Sequence, residues 1–161
     1  MSNKILFYRE ADALYLIFFN HIMAAHISSL FEIIENDINN NIITKIYVDF
    51  YKCNYIDSTV IGTLIKIDSI LKKSGNRLIL YNLNNEIFDI LKKMGLQRYF
   101  VISDEKIELK DIKKYRELEE SSKRINPEFV LDAHNNIIRV SPEMRKEFEV
   151  LISMLKQEVN R

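Results

Sequence analysis

The chain has 161 residues and sets 23 basic side chains against 23 acidic ones, so its formal net charge is zero and the basic excess that a nucleic-acid partner selects is absent. At 47% hydrophobic and 29% charged it carries enough apolar material for one packed domain with an appendage, and too much for a disordered chain. One cysteine, Cys53, excludes an internal disulfide; no apolar run approaches the ~18 residues of a membrane span, and residues 1–10 lack a signal-peptide core, so the expectation is a cytoplasmic protein without direct membrane insertion.

Residues 5–8 and 14–19 are short apolar and aromatic runs on either side of the polar turn 9–12, and predict two strands. From Ile27 the period changes. Ile27, Leu30, Phe31, Ile34 and Ile38 recur as one face of a helix, which Asn39, Asn40 and Asn41 end. Residues 46–50 (IYVDF) form a buried-strand run. Residues 59–74 predict a helix stopped by Gly75, with Lys72 and Lys73 in the last turn, where cations suit the helix dipole. A strand over 77–81 (RLILY), a helix over 86–94 stopped by Gly95, and a short strand over 99–102 complete the series. The order ββαβαβα(β) predicts an α/β fold: a small mixed, mostly parallel sheet with right-handed crossovers and helices packed on one or both faces.

Composition changes near residue 104. Residues 1–103 hold 11 basic and 10 acidic side chains, whereas the shorter remainder holds 12 and 13. All three glycines precede the change and both prolines follow it. This predicts a core domain at 1–103, a charged helical connector at 104–123 with Ile112, Tyr115 and Leu118 spaced by three, and an extension at 124–161. Within the extension, 129–133 and 137–140 flank His134, Asn135 and Asn136, a pattern that predicts a β-hairpin. Ser141, Pro142 and Glu143 then open a helix with the apolar stripe Met144, Phe148, Leu151, Ile152, Leu155 and Val159. That stripe must be buried on the chain's own core or on a partner, and the expectation leans to a homodimer through this helix.

The most informative segment joins the IYVDF strand to the second helix: Tyr55-Ile56-Asp57-Ser58-Thr59-Val60-Ile61-Gly62. Asp57, Ser58 and Thr59 can each accept from the free N–H groups of a first helical turn. A hydroxyl at that position also suits phosphorylation, since the dipole and free amides stabilise added negative charge while Asp57 would repel it. At about 100° per residue, Val60, Leu64, Ile67 and Leu71 form the stripe expected to face the sheet. Ile61 and Ile65 fall off that stripe toward Ser58 and Gly62, and predict an exposed docking patch where the glycine lets another backbone come close. His21, His26 and His134 are too scattered for a catalytic or metal-binding set, and no phosphate-binding loop, dinucleotide fingerprint or nucleophile elbow is present. A non-enzyme without cofactor or metal is expected. Cys53 is expected to be half-buried near a strand end, and Asp68, beside the patch, to be a solvated charge.

Asp57-Ser58-Thr59-Val60-Ile61-Gly62 resembles the Asp-Ser-Ser/Thr-Gly-Leu-Gly motif of STAS domains, the anti-sigma factor antagonists. The resemblance continues through IYVDF, LKKSG, RLILYN and NEIFDILKKMGLQRYF, over about residues 1–103. Val60 departs from it, standing where the family commonly has glycine and stiffening the turn. The resemblance implies a bacterial phosphoprotein acting in transcription regulation. Its unphosphorylated form would bind an ATP-dependent anti-sigma serine kinase and free a sigma factor; phosphorylation would end binding and a protein phosphatase would reset the switch. Ser58 matches the phosphoacceptor, Thr59 the second hydroxyl and Asp57 the adjacent acid. With Ile61, Gly62 and Ile65 these residues make up the expected partner surface. The alternatives are a STAS scaffold subunit of a stress-signalling complex, or a STAS subunit of a lipid or anion transport system associated with a separate membrane protein.

Overall fold

The computed structural model describes residues 2–105, 112–119 and 124–161. Strands β1 (Lys4–Glu10) and β2 (Ala13–Ile22) pair antiparallel in register from Lys4↔Phe19 to Glu10↔Ala13. The turn between them is therefore only Ala11 and Asp12, tighter than the expected turn over 9–12, and Ala11 takes a left-handed φ of 54°. Helix α1 (Ala24–Asn39) buries all five residues of its predicted stripe. It begins before that stripe because His26 Nδ1 accepts the Met23 N–H at 3.0 Å, satisfying a donor of the first turn.

Strands β3 (Lys45–Asp49), β4 (Cys53–Ile56), β5 (Leu78–Tyr81) and β6 (Val101–Ser103) alternate with helices α2 (Ser58–Lys72) and α3 (Asn85–Lys93). With β7 (Arg116–Glu117), the sheet runs β6-β5-β3-β2-β1-β7, with β2-β3, β3-β5 and β5-β6 parallel. Gly75 and Gly95 end their helices at φ of 80° and 70°, a region glycine enters without steric cost. Leu14, Leu16 and Phe18 of β2, Ile46 and Val48 of β3, and Leu78 and Leu80 of β5 join the apolar faces of α1 and α2 in one core. Leu6, Ile17 and Phe19 form a smaller cluster with Tyr115 through the alternate, opposite side-chain direction of their strands.

Strand β4 was not anticipated. It pairs parallel with the end of β2 after an irregularity at Asn20 and His21, where Asn20 has a φ of 60°. This short run delivers Asp57 beside the start of α1.

Three expectations for the later chain are corrected. Residues 129–140 are not a hairpin but part of helix α4 (Pro127–Val140). Val130, Ala133, His134, Ile137 and Ile138 follow a helical period, Pro127 occupies the first turn, and Asn126 Oδ1 caps it by accepting the Glu128 N–H at 2.9 Å. Asn136, read as a turn residue, donates from its side chain to the Asp132 carbonyl one turn back. The last helix does not start at a Ser141 cap. Pro142–Met144 form a 3-10 turn, α5 (Arg145–Val159) follows, and Ser141 Oγ donates instead to the Met94 carbonyl at 2.7 Å. Met144 and Phe148 are buried on the chain itself, whereas Leu151 and Met154 are exposed. The described part of the connector is not a continuous helix either: after the 3-10 turn Ile112–Lys114, β7 (Arg116–Glu117) pairs antiparallel with β1. The rest of that predicted helix, 106–111 and 120–123, lies outside the described residues.

Candidate functional site

The β4–α2 junction resolves which polar residue does what. Asp57 is the cap: Oδ1 accepts the Val60 N–H at 2.9 Å and Oδ2 accepts the Ala24 N–H at 2.9 Å. One carboxylate thus joins the first turns of α1 and α2. Thr59 is buried at 5% exposure. Ser58, half-buried at the first position of α2, is therefore free of capping duty.

Its hydroxyl has another neighbour. Ser58 Oγ lies 2.8 Å from Nε2 of His134, which is 1% exposed on α4. His134 Nδ1 is 2.7 Å from the Val130 carbonyl, a group that only accepts, so Nδ1 carries a proton. In the neutral ring Nε2 is then the acceptor and the serine hydroxyl donates. Phe148 of α5 stands edge-on to the imidazole with centroids 4.8 Å apart.

The expected exposure of Ile61 and Ile65 is corrected: both are 0% exposed. The helical angles were sound, since these residues do leave the stripe of Val60, Leu64, Ile67 and Leu71, but α4 covers the side they leave it for. Gly62 marks the closest approach. A Cβ there would overlap the Ala133 carbonyl and stand 2.7 Å from Ala133 Cα, so the two helices meet backbone to backbone. Around this contact, Lys66 pairs with Asp132 at 2.6 Å, Arg139 donates to Ser69 Oγ at 3.0 Å, and the Phe31 and Phe129 rings lie 5.8 Å apart. Helix α4 thus contacts both α1 and α2.

Asp68 and Cys53 also differ from expectation. Asp68 is 0% exposed; Arg77 donates to both of its oxygens and the Leu78 N–H donates at 2.9 Å. Burial pushes its carboxyl upward, but these donors outweigh burial and hold it below the usual carboxylate range. It ties α2 to β5 rather than facing a partner. Cys53 is fully buried, and burial pushes its thiol up to about 11, so it offers no ready thiolate. Among the described residues no group of three or more His, Cys, Asp or Glu side chains could hold a metal ion, and no helix is long and apolar enough to cross a membrane.

His134 and Ala133 are the participants that sequence reasoning missed. The helical period through 130–138 could have placed His134 on an apolar helix face, but nothing local in the sequence sets it against Ser58.

Comparison with known structures places the fold. SpoIIAA, the anti-sigma factor antagonist solved in its unphosphorylated form, aligns with a TM-score of 0.53 at 17% identity, covering 62% of this chain and 86% of that one. The phosphorylated form of the Bacillus cell fate determinant SpoIIAA gives 0.52 at 18%, covering 62% and 90%. TM1081 of Thermotoga maritima gives 0.52 at 20%, covering 62% and 86%. These likenesses establish the fold. Among protein families, the STAS domain matches residues 6–110, which include the whole β4–α2 junction and most of the sheet. The chain belongs to the STAS-domain family.

Proposed function

We propose that this protein is a phosphorylation-switched anti-sigma factor antagonist. In its unphosphorylated form it binds an anti-sigma serine kinase through the face of α2 that carries Ser58, Ile61, Gly62 and Ile65, a face that α4 covers and must leave for docking, and so releases a sigma factor. Phosphorylation of Ser58 ends that binding, and a phosphatase reverses it. The protein is in this reading a kinase substrate and not itself an enzyme. Residues 1–103 are the switch domain, 104–123 the connector and 124–161 the extension.

The observation that carries the proposal is the division of labour at the junction. Asp57 takes the capping role, Thr59 is buried, and Ser58 alone presents a half-buried hydroxyl at the α2 N-terminus. A helix N-terminus is a favourable place for an added phosphate, whose charge is about −1.5 to −2. The solved unphosphorylated and phosphorylated forms of SpoIIAA, both similar in fold, add support.

The test is phosphorylation by an anti-sigma serine kinase and ATP, with the product mapped by fragmentation. One phosphate on Ser58 is expected, absent from Ser58→Ala, and Ser58→Asp should bind the kinase more weakly. Phosphate mainly on Thr59, or outside this turn, overturns the assignment.

A further inference from the structure

We infer that α4 is an intramolecular competitor for the kinase-docking face of α2, and that seating of α4 and phosphorylation of Ser58 exclude one another. This rests on the reading of α2 given under Proposed function. The apolar pair Ile61 and Ile65, offered to a partner in that reading, is already 0% exposed. The close backbone approach that Gly62 permits is already taken by Ala133. The hydroxyl to be modified is already engaged by His134.

A phosphate does not fit beneath α4 as it is seated. Phosphorylation places a phosphorus and three oxygens on Ser58 Oγ, an atom that has His134 Nε2 at 2.8 Å. The imidazole has little room to withdraw: its other nitrogen is held by the Val130 carbonyl, and Phe148 stands beside the ring. The α2 N-terminus favours added negative charge, so the exclusion rests on space and on the side chains around the site. The added anion would arrive beside the Asp57 carboxylate, and the cation on the next turns of α2, Lys66, is already paired with Asp132. Recognition of a phosphoserine normally draws on arginine forks, and among the described residues no arginine is bonded to Ser58, Asp57 or His134. The junction is built for an uncharged hydroxyl under a helix. By linkage, whatever factor the phosphate takes from the seating of α4, the seated α4 takes from phosphorylation at equilibrium.

The experiment uses the full chain. Amide hydrogen exchange is followed over residues 127–140, with β3 and β5 as internal references, in the unmodified protein, in protein carrying genetically encoded phosphoserine at position 58, and in Gly62→Ala. The last adds a single methyl that favours helix in α2 but overlaps Ala133. Phosphoserine and Gly62→Ala should each lower protection of α4 by about tenfold or more while β3 and β5 stay protected. Should Gly62→Ala also unprotect the sheet, Ile137→Asp on α4 takes its place. Unchanged protection of α4 with phosphoserine at position 58 overturns the proposal. A second arm separates it from the functional reading: the kinase should phosphorylate Ile137→Asp about tenfold faster than the unmodified chain. Equal rates sink the competition and leave the switch standing. Phosphate on neither protein sinks the switch, while the exchange result stands by itself.

Discussion

At the scale of single residues, Ile65 and Asp68 are both expected at the surface from the sequence and are both fully buried. Ile65 is fully buried, so Ile65→Ala should cost about 2–5 kcal/mol, read as a fall in the urea midpoint, and Ile65→Lys more. A loss near zero for Ile65→Ala would mean that α4 does not cover this side of α2 in solution. Asp68 holds Arg77 and the Leu78 N–H from a buried position, and Asp68→Asn should cost about 2 kcal/mol at neutral pH. Its folded-state carboxyl lies below the unfolded value, so the associated stability is complete above the unfolded pKa and disappears as pH falls through the folded one. The gap between the native protein and Asp68→Asn should therefore narrow in urea titrations carried from pH 7 into the acid range. A gap that widens on acidification would contradict the assignment.

At the scale of elements, the caps and turns carry separable contributions. Asn84 accepts the Ile87 N–H to cap α3 and donates to the Cys53 carbonyl, so one side chain fastens α3 to β4. Asn84→Ala should lower stability by about 1 kcal/mol for the cap, with a further loss for the orphaned carbonyl, measurable by thermal or urea unfolding. Ala11 sits at a positive φ that disfavours any residue with a Cβ, and Ala11→Gly should be neutral or stabilising by up to about 1 kcal/mol. The periodic elements were legible because their apolar residues repeat on one face: α1, α2, α3, β2, β3 and β5 all lie within a few residues of expectation. Strand β4 was not, because four residues pairing beside a bulge leave no period to read. Helix α4 reads as a hairpin because His134-Asn135-Asn136 has turn composition, although Val130, Ala133, Ile137 and Ile138 repeat with a helical period. The junction residues Asp57, Ser58 and Gly62 were legible from local chemistry. Their cover was not, since the contact joins residues that lie 76 positions apart.

At the scale of the whole molecule, the extension is part of the core rather than an ornament on it. Ile137, Ile138, Met144 and Phe148 belong to the same buried cluster as Ile61 and Ile65. Deleting residues 124–161 should therefore uncover an apolar face on α1 and α2, lower the melting temperature and raise binding of a hydrophobic dye; a truncated protein as stable as the full chain would show that the extension adds nothing to folding. The path of the chain gives that cover a further property. Leu118, next to β7, donates its N–H to the Ile5 carbonyl, and α4 begins at Pro127, so only residues 119–126 lie in sequence between that anchor and the helix. So short a separation in sequence gives the helix an effective concentration in the millimolar range. A free protein present at micromolar concentration, with the same intrinsic affinity for α2, meets a handicap of roughly a thousandfold. Cutting the backbone between residues 119 and 126 would leave every contact of α4 in place and remove that handicap, because the helix, once released, would be diluted like any other solute.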